Sequence, residues 1–165
     1  MKNDNKERSA LICGSFDPVT KGHLDIVERA SRLFGKIYLC AFINPEKSYC
    51  FSTKERLSFM KKATSHIPNV VCDYNEGMVY EYLIKNNIDC IVKGIRNEKD
   101  LEYEKKMASF NYLHSKKETL FFFASEGLSD CSSSLVRDAL KSGGSLAGLI
   151  PESILEDVQK AYRNK

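Results

Sequence analysis

Two hydrophobic rhythms alternate along this chain. Short runs rich in Ile, Val, Leu and Phe occupy residues 10–14, 36–43, 69–73, 89–93 and 119–124. Runs of this length and composition are predicted to be strands buried on both faces. Between them, apolar residues return every three or four positions, which predicts amphipathic helices. Leu24, Ile26, Val27, Ala30, Leu33 and Phe34 mark one such helix over 22–34, and others are predicted over 53–66, 79–86 and 99–115. Thr53, with Arg56-Leu57 beyond it, reads as a helix start, and Asn86-Asn87 as a stop. A further helix begins near Ser132. A last one follows Pro151, a residue suited to the first helical position. Ile154, Leu155, Val158, Ala161 and Tyr162 give that helix its apolar stripe.

Repeated strand–helix alternation predicts an α/β fold. The expected form is a Rossmann-like, doubly wound, five-stranded parallel sheet with helices on both faces and right-handed crossovers. Such sheets bind ligands beyond the C-terminal ends of their strands, where the strand order switches direction. A length of 165 residues suits a single domain over 1–165, with residues 1–8 expected to be flexible. Ser142-Gly143-Gly144-Ser145 is a turn, too short to act as an interdomain linker.

Composition narrows the partners. At 42% hydrophobic and 28% charged the chain reads as soluble and globular. A net charge of +3 argues against nonspecific nucleic-acid binding. No apolar run approaches membrane-spanning length, and residues 1–9 carry no signal-peptide core, so a cytoplasmic location without a membrane partner is expected. The six cysteines, Cys13, Cys40, Cys50, Cys72, Cys90 and Cys131, form no Cys-x-x-Cys pair and read as reduced, buried thiols. His23, His66 and His114 are far apart in sequence, so no zinc site is expected.

Four segments carry the candidate chemistry, each placed just after a predicted strand. Gly14-Ser15-Phe16-Asp17-Pro18-Val19-Thr20-Lys21-Gly22-His23 is a strand-to-helix turn ending in Thr-x-Gly-His. Unpaired N–H groups at a helix start attract phosphate, and an imidazole there adds a directed donor. Asn44-Pro45-Glu46-Lys47 follows the second strand, and Lys93-Gly94-Ile95-Arg96 the fourth, with Glu104 beyond it. Leu128-Ser129-Asp130-Cys131-Ser132-Ser133-Ser134 leads through Arg137 into a helix whose first turn can wrap a phosphate chain. Singly, each has a plainer reading: an N-cap for the serines, a turn-forming Asp17, a structural His23, solvated cations at Lys47 and Arg96, an exposed Glu104 and a simple turn at Gly94. Their co-occurrence in order shifts the balance toward a triphosphate site.

Taken together these segments resemble the bacterial phosphopantetheine adenylyltransferases, within the nucleotidyltransferase superfamily that carries a His-x-Gly-His or Thr-x-Gly-His element. The resemblance runs from about Ala10 to the C-terminal helix. The stretches from Asp100 through Glu102, Tyr103 and Glu104 to Asn111, and from Asn44 to Arg56, are its most specific segments. It implies transfer of AMP from ATP to 4′-phosphopantetheine, giving dephospho-coenzyme A and pyrophosphate. It implies that His23, Lys47 and Arg96 act on the reacting phosphates. Ser15, Phe16, His23, Gly94, Ile95, Arg96, Glu104 and the stretch from Leu128 to Ser134 would bind ATP. Ser15, Lys47, Val79 and Lys93 would bind the acceptor. Mg²⁺ held by phosphates and water, a homohexamer and feedback binding of coenzyme A are implied in the same way.

The chain departs from that pattern in places. Lys93 stands where an arginine is usual, keeping the charge but losing the bidentate fork. Ser15 replaces threonine and Cys13 a proline, and Asp130-Cys131 replaces a more apolar pair. A carboxylate beside a triphosphate is repelled, so Asp130 is expected to point away or to meet a cation. Related adenylyl- or cytidylyltransferases and a non-catalytic nucleotide-binding module are the rival readings.

Overall fold

The structure, a computed structural model, describes residues 8–165. The flexibility expected of residues 1–8 lies outside the described residues up to residue 7; the Arg8 carbonyl accepts from Gly35 N–H at 2.9 Å. Strands β1 (Ser9–Gly14), β2 (Lys36–Phe42), β3 (Val70–Asn75), β4 (Cys90–Ile95) and β5 (Glu118–Phe123) alternate with helices α1 (Lys21–Ser31), α2 (Thr53–Ala63), α3 (Val79–Lys85), α4 (Glu98–Ser115), α5 (Ser133–Ser142) and α6 (Leu155–Arg163). The five strands form one sheet in the order β3-β2-β1-β4-β5, every pair parallel. The direction of winding reverses between β1 and β4, so the crevice beyond their C-terminal ends is the expected ligand site.

Side-chain alternation divides the core between the two sheet faces. Ala10, Ile12, Ile37, Leu39, Ala41, Cys90 and Val92 pack with Ile26 and Val27 of α1, Phe59 and Met60 of α2, Val136 of α5 and Val158 of α6. Leu11, Cys13, Cys40 and Ile91 pack on the other face with Tyr82 and Leu83 of α3. The expectation that all strands are buried on both faces fails at the edges. Val71 and Tyr74 of β3, and Leu120 and Phe123 of β5, are exposed. An edge strand has a neighbour on one side alone, and the helices cover it incompletely.

Capping fixes the helix starts that matter for the site. Ser52 caps α2 by accepting from Glu55 N–H, and the Glu55 carboxylate accepts from Ser52 N–H. Pro151 precedes a 3-10 turn, Glu152–Ile154, rather than opening α6 itself. All six cysteines are free, with Cys13, Cys40, Cys90 and Cys131 buried.

Candidate active site

The β1–α1 turn is held in a conformation that bulky residues rarely adopt. Phe16 has φ 46°, in the left-handed region, and is buried with its ring edge-on to the His23 imidazole at 5.0 Å. Asp17 is what fixes the turn. Its buried carboxylate accepts from Cys50 N–H at 2.7 Å and Phe51 N–H at 2.8 Å, and Arg137 lies 3.8 Å away. Arg137 also donates to the Asp17 carbonyl at 2.8 Å and to Ser134 Oγ at 3.0 Å. The aspartate therefore does more than form a turn: it ties β1–α1 to the loop before α2 and, through Arg137, to the start of α5.

His23 occupies the third position of α1, and its ring is oriented by the cap. The Thr20 backbone N–H donates to Nδ1 at 3.0 Å. An amide N–H can only donate, so Nδ1 accepts and the ring proton sits on Nε2. Burial foremost, with Arg96 and Lys93 adding repulsion, lowers its pKa from 6.5 to about 4. The ring is thus a neutral imidazole with an Nε2–H donor. The folded chain binds this proton less tightly than the unfolded chain. His23 therefore supports folding fully above pH 6.5, and that support is lost as pH falls from 6.5 through about 4. In ¹⁵N-detected titration of the unliganded protein, the His23 ring is expected to keep its Nε2–H tautomer from pH 8 to about 5. A midpoint near the ordinary histidine value would contradict this assignment.

The cavity beside His23 has a volume of about 370 Å³. Its wall includes Gly14, Ser15, Phe16, His23, Lys93, Gly94, Arg96, Asp100, Glu104, Leu128, Cys131, Ser132, Ser133, Ser134 and Arg137. The three serines have distinct tasks. Ser132 caps α5 by accepting from Leu135 N–H, Ser133 donates to the Pro18 carbonyl at 2.8 Å, and Ser134 accepts from Arg137. The N–H groups of Ser133 and Ser134, in the first turn, have no partner within the helix and can meet an anion. Ser129, Asp130 and Ile95 do not belong to this wall: Asp130 is exposed and Ile95 is buried in the core. Gly94 lies inside β4 rather than in a turn, and a Cβ there would meet Ile26 Cγ1 at 3.0 Å, so close packing of α1 on the strand accounts for it.

A second cavity of about 420 Å³ opens on the α3–α4 side and is lined by Asn44, Pro45, Lys47, Tyr49, Gly77, Val79, Tyr103, Met107, Phe110 and Asn111. Lys47 stands exposed on its rim, on a turn closed by Lys47 N–H to the Asn44 carbonyl at 3.0 Å. Cys13, Gly14, Ser15, Lys93 and Glu104 line both cavities. Lys93 is the positive charge of that shared wall. Its Nζ donates to the Cys13 carbonyl and to Glu104 Oε1, each at 3.2 Å. Arg96 is held in the same manner: Nε and Nη2 donate to the Asp100 carboxylate at 2.8 and 3.1 Å. Two carboxylates four residues apart on α4 thus engage both cations in the unliganded site. Glu104 is half-buried and paired, not a free surface carboxylate.

Arg56 was legible only as a member of a helix start, yet it is buried against this site. Its Nη1 donates to the Ser15 carbonyl at 2.8 Å. The signal in the sequence was its place on the same helical face as Phe59, Met60 and Ala63.

Comparison with known proteins places the chain in a family. The cytidylyltransferase-like family model matches residues 11–139. A protein named phosphopantetheine adenylyltransferase from Caldanaerobacter subterraneus subsp. tengcongensis is 40% identical over 157 residues, covering 94% of this chain and 98% of the relative. Proteins of the same name from Clostridium novyi and from Clostridium botulinum (strain Eklund 17B) are 39% and 43% identical, covering 92% and 90% of this chain and 94% of each relative. The site residues lie within the matched span, and the chain belongs to the phosphopantetheine adenylyltransferases of the cytidylyltransferase-like family.

Proposed function

We propose that this enzyme transfers the adenylyl group of ATP to 4′-phosphopantetheine, releasing dephospho-coenzyme A and pyrophosphate. The observation that carries the reading is the wall common to the two cavities. Ser15, Lys93 and Glu104 border both, so an anion in one lies next to an anion in the other. The triphosphate would occupy the cavity of His23, Arg96 and the α5 first turn, with Gly94 and Glu104 toward the nucleoside. The acceptor would lie along Val79 with its phosphate between Lys47 and Lys93.

The acceptor is a phosphate monoester, largely dianionic near neutral pH, and needs no general base to attack. The chain's task is to bring two polyanions into line at the α-phosphorus and to meet charge on the transition-state oxygens. His23 would donate from Nε2 to an α-phosphate oxygen. Lys93 and Arg96 would exchange their α4 carboxylates for phosphate as the substrates bind. Ser129, Asp130 and Ile95, expected to touch ATP, would act through the backbone if at all, given where their side chains lie.

Mg²⁺ belongs to this proposal. Among the described residues no group of three or more His, Cys, Asp or Glu side chains could hold a metal ion. The cavity carboxylates Asp100 and Glu104 are paired with Arg96 and Lys93. Such a donor set suits an ion held by phosphate oxygens and water, as Mg²⁺ usually is, and bound there it would neutralise phosphate charge. Assembly as a homohexamer and feedback binding of coenzyme A are carried by the resemblance alone, and a cytoplasmic location belongs to the proposal as well. No helix among the described residues is long and apolar enough to cross a membrane.

The test is a crossed assay in which ATP or CTP is offered with 4′-phosphopantetheine, nicotinate mononucleotide or no acceptor. Pyrophosphate release is expected for ATP with 4′-phosphopantetheine alone. Release with CTP or with nicotinate mononucleotide would favour a related transferase, and no release with any pair would favour a binding module. In the same assay, Lys93→Ala is expected to raise the acceptor KM about tenfold or more, the worth of one charged hydrogen bond, with a smaller change for ATP. An unchanged acceptor KM would remove Lys93 from the acceptor site.

A further inference from the structure

Arg56 is 1% exposed and is among the largest fully buried side chains of the protein. Its guanidinium is a cation. Burying such a charge is costly unless an anion meets it. Among the described residues no carboxylate lies within ion-pair distance of it. Its contacts are neutral: the Ser15 carbonyl at 2.8 Å, Thr53 Oγ1 at 3.4 Å and the Tyr49 ring at 4.0 Å from the guanidinium carbon. Nε is buried and has no partner among the described residues.

These contacts lie directly behind the site. Drawing the Ser15 carbonyl toward α2 withholds from the cavity wall an oxygen that would repel phosphate. Tyr49, on whose ring the guanidinium rests, accepts from Asn44 N–H at 2.8 Å and so anchors the turn that carries Lys47. One buried cation therefore backs both the residue shared by the two cavities and the loop that supplies Lys47.

We propose that Arg56 is a positioning residue for phosphate. It fixes the Ser15 peptide and the Lys47 turn, and it stands behind the β1–α1 turn as a positive charge that no carboxylate among the described residues meets within ion-pair distance. The inference rests on reading both cavities as phosphate sites. A residue kept for the fold alone would stabilise the unliganded protein; a residue kept for the ligand would not.

The experiment compares wild type, Arg56→Met, Arg56→Gln and Arg56→Lys by unliganded Tm and by calorimetric Kd for ATP, with steady-state kinetics beside them. Met removes the charge at similar volume, Gln keeps a donor without charge, and Lys keeps charge without the fork. The unliganded Tm of Arg56→Met is expected within about 5 °C of wild type. The Kd for ATP is expected to rise about tenfold or more in the Met and Gln variants and less than about threefold in the Lys variant. A Kd within twofold of wild type in either uncharged variant would overturn the proposal. So would an uncharged variant that fails to fold without ligand, or a Lys variant as weak as the Gln variant. Binding is read independently of turnover. A wild-type protein that binds ATP but transfers nothing defeats the proposed function and leaves the Arg56 comparison standing.

Discussion

Replacing His23 by alanine is expected to lower kcat about 10²- to 10³-fold while the KM for ATP changes less than about threefold. The reason lies in where the ring points its proton. Thr20 N–H occupies Nδ1, so the single free donor is Nε2–H, and burial keeps the ring neutral. A neutral donor contributes most when charge on the α-phosphate oxygens grows, which happens in the transition state and not in the ground state. In the proposed site the triphosphate would also meet Arg96, Arg137 and the first turn of α5, so its binding would lose little with the imidazole. Some of the change is structural, since His23 also completes the α1 cap, and the variant's Tm is expected to fall modestly. Saturating kinetics together with the Kd for ATP separate the two effects. Near-normal kcat would remove His23 from the chemistry, and a kcat loss matched by an equal loss of ATP affinity would make it a binding residue.

Asp17→Ala is expected to be the most damaging single change to stability, costing about 3–5 kcal/mol, the range for leaving a buried charge network without its partner. The carboxylate is 4% exposed and satisfies two backbone N–H groups, at Cys50 and Phe51. Removing it leaves both amides buried without partners and takes a carboxylate from Arg137. At this chain length such a loss lowers Tm by about 10 °C or more. Asp17→Asn keeps the shape and one acceptor, so its cost is expected to be smaller. Equilibrium denaturation of the three proteins measures the order. If alanine costs less than about 1 kcal/mol, the aspartate is a solvated turn residue after all.

Much of this was legible in the chain because the relevant forces are local. Period and length located all five strands and all six helices, since a buried parallel strand must be apolar throughout and an amphipathic helix must repeat near 3.6. Thr20, Thr53 and Ser132 could be read as helix starts because such signals act over three residues, although the cap of α2 is Ser52, one position earlier. The convergence of four post-strand loops followed from parallel topology alone. What stayed hidden depends on contacts between distant segments. Nothing in the Asp17-Pro18 dipeptide tells that its carboxylate reaches residues 50 and 51, more than thirty positions away. The engagement of Lys93 by Glu104 needs the register of α4 on β4, which spacing does not give. Gly94 read as a turn because a glycine after an apolar run usually is one; the approach of Ile26 that explains it is a packing event. Likewise, Ser129 and Asp130 belong to a segment whose serines face the cavity, and only the path of the backbone separates them from it.

The neutral, Nε2-protonated His23 also bears on how the site resists proton traffic. As the triphosphate binds, its negative charge favours imidazolium while Arg96 and Lys93 oppose it. In the proposed complex both cations would leave their α4 carboxylates as phosphate arrives. Lys93 and Arg96 are thus each paired, with Glu104 and Asp100 as the anions that substrate oxygens would replace. At these two cations, substrate binding would trade one set of anions for another.

The decisive measurement is a crystal structure of the enzyme with a non-hydrolysable ATP analogue and 4′-phosphopantetheine bound together. The expected result has the α-phosphate within hydrogen-bond reach of His23 Nε2, the β- and γ-phosphates against the first turn of α5, and the acceptor phosphate beside Lys93, with its attacking oxygen about 3–3.5 Å from the α-phosphorus. A triphosphate lying away from His23, or an acceptor phosphate separated from it by the Lys93–Glu104 wall, would contradict direct transfer between the two cavities.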